Sequence, residues 1–500
     1  MLPMVELTIF ALGILLIDLM IPREWKWLNA AGAFLGVLLS AVCVWRIQDT
    51  LPRGAIGFFN ALLVDRFAIY FWYLFLASAA ITILASVRYL EIENEHHGEY
   101  YALLLLSVVG MMCMAAGIDI VLLFIGLELM AISIYILVGF LRRDRRSNEA
   151  ALKYLLLGAF SSGIFAYGLS LLYGISGSTN LLASAPGRPS IAAAVSRLSA
   201  QDPHNPVLII ALLTVTVGLL FKIAAVPFHQ WAPDAYEGAP TSITGFMSVA
   251  VKAAAWALLL RILIYGLLPL RSLYTPIMVF VAIATMTGGN LAALTQTNTK
   301  RLLAYSSIAH VGYMLLAFVA MGTSPLGSPA FADGFKGILI YLMVYTFMNL
   351  GVFAVITSLR HRNVIGDELD DMAGLYSRAP VEAVLMLLFL LSLAGIPPAA
   401  GFLGKYYIFL SLIESGHYWL ASAAVLYALF GLYYYLRMAN VMLMRAPAET
   451  GKMPVSIGMR FALGLTALMT IVIGIFPEPF IHTVNWSLGI ASPHVAAMVR

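Results

Sequence analysis

Residues 206–234 read PVLIIALLTVTVGLLFKIAAVPFHQWAPD, an apolar run long enough to cross a membrane that contains a lysine and then a proline. The lysine is Lys222, and Pro227 follows it by five residues. Because proline has no backbone N–H, a helix through this stretch would leave the carbonyl oxygen of Ile223 without its partner. The sequence therefore predicts a membrane helix that breaks next to a buried lysine.

A second stretch, residues 380–414, is irregular in the same way. Its 35 residues would form a helix of about 52 Å, which is too long for one crossing. Pro397 and Pro398 lie in its middle and would free the carbonyl oxygens of Leu393 and Ala394. We therefore expect a second broken helix, since non-helical backbone at membrane depth is tolerated only beside protein or a watery cavity.

The composition places both stretches in an all-α polytopic membrane protein. Of the 500 residues, 61% are hydrophobic and only 11% are charged, which excludes a water-soluble globule. Apolar runs of about 20 residues recur along the chain, and we predict about fourteen transmembrane helices. They are expected near residues 4–21, 28–45, 66–88, 100–117, 119–140, 150–174, 206–228, 240–265, 275–295, 301–321, 335–358, 380–414, 417–444 and 459–476.

The two predicted breaks lie five spans apart, in the seventh and twelfth spans. An odd offset reverses the direction of crossing, so two five-helix units would be related by inversion, with ion sites at the breaks. The alternative is that these prolines only kink two helices for packing. The predicted division of the chain is a three-helix segment at 1–99, a first five-helix repeat at 100–265, a second, inverted repeat at 266–445, and a C-terminal helix and tail at 446–500.

Ionisable side chains occur inside several predicted spans, where each charge costs roughly 2.5 to 3.5 kcal/mol and by default marks an ion or proton path. Counted along their helices, Glu128, Lys252 and His310 come out near the midplane, and Lys222 lies just before its break. Such residues would form a polar row in the plane of the membrane that could pass protons through water between half-channels. The candidate residues are Glu128, Lys153, Lys222, Lys252, Lys405, His310 and, just after the first break, His229.

Each candidate also has a structural explanation. Lys153 follows a glutamate by four residues, the spacing of an ordinary helical ion pair, and Lys405 could extend its ammonium outward from a helix end. His310 suits a relay because histidine titrates near neutral pH, but a satisfied core histidine is the competing interpretation. Glu128 and Lys222 are the strongest candidates, because each would offset the cost of burying the other.

Basic residues outside the spans predict the orientation. Loops of one alternating set carry fifteen Lys or Arg and the other set carries eight, so both termini are predicted to face outward. The first span lacks a small-residue cleavage site and is expected to be retained as a helix. Cys43 and Cys113 lie in different spans without a CxxC or Cys/His cluster, so we expect no iron–sulfur, zinc or disulfide site. Residues 174–205, rich in Ser, Ala and Pro, are expected to form an irregular loop.

Five segments resemble the antiporter-like membrane subunits of respiratory complex I. The resemblance covers most of residues 100–445 in order, whereas the first three spans match only loosely. WAPDAYEGAPT and the lysine at position 405, where M-type members carry glutamate, are typical of the N-type branch, the bacterial counterpart of mitochondrial subunit 2. His310 matches the family's histidine in the tenth span. The segments are GLELMAISIYILVGF (126–140), EAALKYLLLGAFSSG (149–163), FKIAAVPFHQWAPDAYEGAPTSITGFMSVAVKAA (221–254), KRLLAYSSIAHVGYML (300–315) and GIPPAAGFLGKYYIF (395–409).

The resemblance implies a role for the other candidates as well. Glu128 and Lys222 would act as a coupled ion pair, with Lys153 as a nearby modulating lysine. Lys252 would be the central relay, and Lys405 would be the lysine of the second half-channel.

The resemblance further implies a membrane-arm subunit that translocates protons while NADH oxidation and quinone reduction take place in other subunits, which would hold the FMN, iron–sulfur clusters and quinone. Expected partners are the other membrane subunits, especially M and the small subunits K and J, together with membrane lipids, and no nucleic acid. The expected location is the bacterial inner membrane, with many crossings and both termini periplasmic. A subunit of a multisubunit sodium/proton antiporter and a non-transporting membrane scaffold are the alternatives.

Overall fold

The computed structural model describes residues 1–50, 54–183, 188–360, 366–446 and 455–488, and these residues form a helical bundle. Twelve of the described helices are long and apolar enough to cross a membrane, which confirms the predicted fold class. The other two predicted crossings correspond to shorter helices. Leu2–Asp18 has 17 residues, and the stretch 380–414 is divided into two helices of 15 residues each.

Three helices and a short antiparallel hairpin form the N-terminal segment. The hairpin pairs Ala55 with Val64, and it leads directly into the third helix. The elements are α1 (Leu2–Asp18), α2 (Trp27–Thr50), β1 (Ala55–Gly57), β2 (Leu62–Val64) and α3 (Arg66–Glu93).

The first predicted repeat contains the first broken helix and a helix with two π-helical stretches. Its elements begin with α4 (Gly98–Ala116), α5 (Ile120–Val138), α6 (Arg145–Ser176), α7 (Ile191–Gln201), α8 (Pro206–Ile223) and α9 (Trp231–Gly238). A continuous helix of membrane length, Thr241–Gly266, follows. We call it the Lys252 helix; it consists of α10 (Thr241–Phe246), a π-helical stretch (Met247–Val251), α11 (Lys252–Leu260) and a second π-helical stretch (Arg261–Gly266).

The second predicted repeat and the C-terminal segment complete the bundle. Their helices are α12 (Arg271–Thr295), α13 (Thr299–Thr323), α14 (Pro329–Leu359), α15 (Leu375–Arg378), α16 (Pro380–Ala394), α17 (Ala400–Glu414), α18 (Tyr418–Met444), α19 (Ile457–Ile475) and α20 (Glu478–Ser487). Short 3-10 turns lie at Arg23–Trp25, Leu268–Leu270 and Leu369–Met372.

Polar side chains define where many of these helices begin. A side-chain oxygen of the residue before the helix accepts a hydrogen bond from a first-turn N–H, which satisfies one of the donors that the helix itself leaves free. The capping residues are Asp65, Asp119, Asp144, Ser190, Asn205, Asn298, Ser328 and Ser456.

The first predicted break is present at the end of α8. Ala224 adopts a left-handed conformation with φ 60°, and the N–H of Ala225 donates to the carbonyl of Leu220 at 2.9 Å, which closes the helix end. Trp231, the first residue of α9, donates its indole Nε1–H to the carbonyl of Phe221 at 2.9 Å. The usual helical partner of the Phe221 carbonyl, the N–H of Ala225, bonds to Leu220 instead. A side chain beyond the break therefore donates a hydrogen bond to this carbonyl near the helix end.

The second predicted break ends α16 with the same backbone motif. Gly395 takes the left-handed conformation with φ 84°, and the N–H of Ile396 donates to the carbonyl of Leu391 at 3.1 Å. A spacing of 171 residues separates Ala224 from Gly395, and the same spacing separates Pro227 from Pro398. The two breaks are thus alike in geometry and in sequence position, which supports the inverted-repeat interpretation of the fold.

The expectation that residues 174–205 form an irregular loop was wrong. They contain α7, which begins after Ser190 and buries Ile191 and Val195. Serine and alanine suggested a linker, yet serine is a good N-cap and alanine has the highest helix propensity. Burial of one face stabilises this short helix, and burial cannot be deduced from composition.

Three helices lie at the centre of the bundle. In their most apolar 18-residue windows, every residue of the Lys252 helix and of α14 is buried, and 94% are buried in α13. The corresponding fraction is 39% for α6 and 33% for α18, which lie at the periphery. Polar groups on the three central helices are consequently separated from the membrane by a shell of other helices.

Candidate functional site

The first cluster of predicted residues lies between α5 and the end of α8. Lys222 is 2% exposed, and its Nζ donates to the hydroxyl of Tyr135 at 3.3 Å. Glu128 lies two helical turns before Tyr135 and interacts electrostatically with Lys222. Among the described residues, Glu128 makes no direct ion pair with Lys222, and its buried Oε1 has no hydrogen-bond partner. The expected pair is therefore coupled through space, with a tyrosine hydroxyl against the ammonium.

Lys252 lies at the start of α11, directly after the first π-helical stretch. It is 2% exposed, and its Nζ hydrogen-bonds to Oγ of Ser307 on α13. The ring of Tyr236 lies 5.7 Å from the same Nζ. Helix interruptions of the π type are frequent at functional sites, and this one places a lysine against a serine of the second predicted repeat.

His310, one turn beyond Ser307 on α13, is held by two tyrosines. Its Nδ1 lies 2.5 Å from the hydroxyl of Tyr341 on α14, and its Nε2 lies 2.9 Å from the hydroxyl of Tyr435 on α18. Tyr435 is also hydrogen-bonded to Oγ of Ser306 at 2.5 Å. The four groups form a buried chain in which each hydroxyl can both donate and accept a proton.

Lys405 lies at the second break, as predicted. It is 6% exposed, and its Nζ donates to the carbonyl oxygens of Leu393 at 3.1 Å and Ala394 at 2.6 Å. These are the two carbonyls that the prolines were predicted to free. The ammonium thus caps the C-terminal end of α16, where carbonyl dipoles stabilise a positive charge, and the ring of Tyr313 lies 5.4 Å away.

One face of α13 joins the two central lysines. Ser307, His310 and Tyr313 follow one another at intervals of three residues, so their side chains lie on the same side of the helix. Ser307 contacts Lys252, Tyr313 contacts Lys405, and the ring of His310 lies 6.2 Å from that of Tyr313. We call the set from Glu128 to Lys405 the polar row.

Comparison with known proteins identifies the family. The family model described as "NADH:quinone oxidoreductase/Mrp antiporter, TM" matches residues 117–431. NADH-quinone oxidoreductase subunit N 1 of Koribacter versatilis is 61% identical over 98% of this chain and 95% of its own length. The chain belongs to the subunit N family of NADH-quinone oxidoreductases.

Solved structures place the fold of the subunit N family member in the same group. A chain of respiratory complex I from Thermus thermophilus is 31% identical, with a TM-score of 0.78, and the match covers 96% of this chain and 98% of that one. A chain of the Mrp complex from Dietzia sp. has a TM-score of 0.80 over the whole of both chains but only 19% identity, so it shows the fold alone. At this identity, the match to the Mrp complex gives the antiporter alternative the support of a shared fold and no more.

Aromatic side chains interrupt the polar row of this subunit N family member between Lys222 and Lys252. The ring of Tyr135 meets that of Tyr154 edge-on at 4.6 Å, and Tyr154 stacks on Trp231 at 4.3 Å with an interplanar angle of 9°. The hydroxyl of Tyr154 is buried and has no hydrogen-bond partner among the described residues. Stacked rings exclude water, so this stretch lacks hydrogen bonds of the kind that join Ser306, Tyr435, His310 and Tyr341.

Lys153 lies outside the buried row. It is half-exposed and pairs with Glu149 at 2.8 Å and with Asp234 at 3.1 Å, so the ordinary helical pair considered from the sequence is the contact that forms. Asp234 is also bound by Arg301 at 2.6 Å. Partial burial alone would raise the pKa of Asp234, but hydrogen bonds from Arg301 and Lys153 outweigh it and hold that pKa below its usual range. We call Glu149, Lys153, Asp234 and Arg301 the charged mouth. It lies on the side of the Arg-rich loop at residues 142–146.

His229 lies between α8 and α9, within the first break. Its Nδ1 is buried and has no hydrogen-bond partner in the described part of the chain. No group of three or more His, Cys, Asp or Glu side chains that could hold a metal occurs among the described residues. Cys43 and Cys113 are both free thiols.

The sequence reasoning missed a fully buried ion pair. Arg261, in the second π-helical stretch, is 0% exposed; its Nη1 and Nη2 donate to Asp65 at 2.7 and 2.5 Å, and its Nε donates to the carbonyl of Ala115 at 2.8 Å. The ring of Phe67 lies 4.6 Å from the guanidinium. Asp65 precedes its span and so carried no signal, but an arginine inside the predicted span 240–265 was visible from the sequence.

The row also uses residues that no hydropathy pattern distinguishes. Their hydroxyls and rings occur on helices far apart in sequence, and only packing brings them to the charged groups. They are Tyr135, Tyr236, Ser306, Ser307, Tyr313, Tyr341 and Tyr435.

Proposed function

We propose that this chain is a membrane-arm subunit of NADH:quinone oxidoreductase that translocates protons, driven by NADH oxidation and quinone reduction in other subunits. The observation that carries the proposal is the buried polar row, in which Lys222, Lys252 and Lys405 are each at most 6% exposed and each lie at a helix break or a π-helical stretch. A protein with a purely structural role would not be expected to keep such residues, because a charge at membrane depth has a high free-energy cost. The 61% identity to a named subunit N supports the assignment.

The row assigns a role to each charged group. Between Lys252 and Lys405, the side chains of Ser307, His310 and Tyr313 would supply groups for lateral proton passage, and the hydroxyls of Tyr341 and Tyr435 are bonded to His310 in the middle of this stretch. Lys405 holds its charge against the free carbonyls of the second break. Lys153 belongs to the charged mouth and acts on Lys222 only at a distance.

The aromatic interruption supports a gated mechanism for the first half of the row. With the ring stack of Tyr154 and Trp231 in place, no hydrogen-bonded path among the described residues leads from Lys222 to Lys252. Trp231 is fixed to the carbonyl of Phe221, so a shift of the first break also moves the stack. Movement at the first break would then separate the stacked rings and admit water between Lys222 and Lys252. Return of the stack would prevent protons from flowing back from Lys252 to Lys222.

The proposed assembly and topology follow from the same reasoning. FMN, iron–sulfur clusters and quinone are assigned to other subunits, and the immediate neighbours are the M, K and J membrane subunits. The division into inverted repeats at 100–265 and 266–445 is supported by the matching breaks at Ala224 and Gly395. The excess of Lys and Arg in one set of loops supports a multi-pass inner-membrane protein with periplasmic termini.

Replacement of Lys222 by alanine tests the function. In the assembled complex reconstituted into vesicles, we expect K222A to lower both proton pumping and NADH:quinone turnover, because moving one charge against 100 mV requires about 2.3 kcal/mol that the row must transmit. The matched control is K336A, since Lys336 is a partly buried lysine paired with Asp333 outside the row. Wild-type pumping and turnover in K222A would show that the assigned role is wrong.

A further inference from the structure

Two cavities lie end to end along α6, and neither is part of the polar row. A charged cavity of about 250 Å³ is lined by Arg146, Glu149 and Lys153 of α6 together with residues of α9 and Arg301. An apolar cavity of about 310 Å³ lies between α6 and the first helix break. Its α6 residues are Leu157, Phe160, Ser161 and Ile164.

The two cavities share one face of α6. The α6 residues that line the cavities recur at intervals of three or four, with two adjacent pairs, which is the spacing of a single helical stripe. They are residues 146, 149, 150, 153, 157, 160, 161 and 164. The opposite wall is the broken helix in both cases, with Asp234 beside the charged cavity and Val217 beside the apolar one. The groove is therefore charged at the end near the Arg-rich loop and apolar below it.

The depth of the groove matches one leaflet of a membrane. Arg146 and Ser161 are fifteen residues apart on the helix, or about 22 Å at 1.5 Å per residue, which is about half of the 40–45 Å total thickness of a bilayer. The rim is apolar, since Leu156 is 62% and Phe160 is 72% exposed within a membrane-spanning helix. The apolar cavity is thus open at the depth of lipid acyl chains.

We propose that this groove binds one glycerophospholipid of the surrounding membrane. Its phosphate lies beside Arg146, because arginine is a usual phosphate donor and the Arg146 guanidinium makes no ion pair among the described residues, whereas Lys153 is already paired with Glu149 and Asp234. One acyl chain occupies the apolar cavity. Gln230 lines the apolar cavity next to Trp231 and offers an amide donor to the ester region. The volume of the apolar cavity is at the lower end of the range for ligand sites, about 300–1,000 Å³, which suits a single chain.

The lipid would contact the first helix break and the charged mouth without contacting the lysines of the polar row. Its chain packs against Phe228 and Trp231 at the first break, and its phosphate lies beside Arg146 in the cavity that also contains the charged mouth. Binding would therefore favour one position of the break, and a lipid that fits poorly would leave that position less populated.

Photolabelling of the assembled complex tests the proposal. The probe is a phosphatidylethanolamine with a diazirine in its acyl chain, mixed into the reconstituted membrane, and the readout is labelled peptides by mass spectrometry. We expect labelling of residues 157–164 and 217–231. Val217→Phe, which fills the apolar cavity, should lower this labelling about tenfold, equivalent to about 1.4 kcal/mol. Leu213→Phe, one turn earlier on α8 and outside the cavity, should leave it unchanged.

A second pair of variants keeps the test valid if V217F fails to assemble. Arg146→Gln should weaken labelling about tenfold, whereas Arg145→Gln, at a neighbouring exposed arginine that does not line the charged cavity, should not. Labelling that is equal in all four variants would overturn the proposal. Labelling no stronger here than on the exposed faces of α1 and α2 would also overturn it, as would crosslinking of the groove to another subunit in place of lipid.

Discussion

Ser307 offers the sharpest functional test, because it is a small residue with one specific contact in the polar row. It is 1% exposed, and its Oγ accepts a hydrogen bond from Nζ of Lys252. Ser307→Ala removes one oxygen atom and leaves the helix and the packing almost unchanged. The expected effect is therefore on the lysine and not on the fold.

The size of the effect follows from the contact. A hydrogen bond to a charged group contributes about 1.5–3 kcal/mol, and Ser307 is the hydrogen-bond partner of Lys252 among the described residues. Loss of that bond destabilises the charged form of Lys252 by this amount. Since about 1.4 kcal/mol is a factor of ten, we expect proton pumping and quinone-linked turnover to fall together by tenfold or more.

The assay is NADH-driven proton uptake by vesicles that contain the complex, measured alongside NADH:quinone turnover and the amount of assembled complex. Ser307→Thr keeps the hydroxyl and should restore most of the activity. Ser78→Ala is the matched control, because Ser78 is a buried serine whose hydroxyl bonds, among the described residues, to the carbonyl of Leu74 on its own helix. Pumping within twofold of wild type in S307A, with normal assembly, would refute the reasoning.

Three further predictions concern the supports of the row. Asp65→Asn should destabilise the complex by about 3–5 kcal/mol, because it leaves a buried guanidinium unpaired, and adding Arg261→Met should recover most of the loss in thermal unfolding. Gly395→Ala should cost roughly 1–2 kcal/mol, because alanine resists the left-handed conformation, and should lower pumping, since the new methyl group would meet the Lys405 side chain at 2.8–3.2 Å. Asp234→Asn should change thermal stability by less than about 1 kcal/mol, because its partner Lys153 is half-exposed.

Each of these has an outcome that contradicts it. If D65N and the double variant unfold at the same temperature, the ion pair is not what fixes the Lys252 helix. Wild-type pumping in G395A would mean that the position of the Lys405 ammonium is unimportant. A collapse of assembly in D234N would show that the charged mouth is a structural core element and not a solvated surface network.

The sequence was most informative where the physical signal is local. Pro227, Pro397 and Pro398 marked both breaks, because a missing N–H acts on the carbonyl of a residue only a turn away. The carbonyls of Leu393 and Ala394 were correctly predicted to be free, and Lys405 was correctly placed just beyond the break. The sequence could not indicate that this same lysine caps the carbonyls, because the direction of a side chain depends on packing.

The sequence was least informative where polarity is shared between distant helices. Glu128 and Lys222 were predicted as a coupled pair, and the structure adds the hydroxyl of Tyr135 against the ammonium, a contact that hydropathy does not indicate. The loop 174–205 was assigned as irregular because its composition was considered without its environment, and α7 is stabilised by burial of Ile191. That error concerns packing between helices, which hydropathy does not describe.

By itself, the sequence determined the membrane class, the crossings, the two broken helices and the burial of Lys222, Lys252 and Lys405, because each depends on transfer free energies and backbone chemistry that act within about one helical turn. The tertiary structure decided which groups meet. It placed Ser307 against Lys252 and two tyrosines around His310, joined Asp65 to Arg261 across 196 residues, and moved Lys153 to the charged mouth. The two broken helices belong to one polar row only because α13 packs between them.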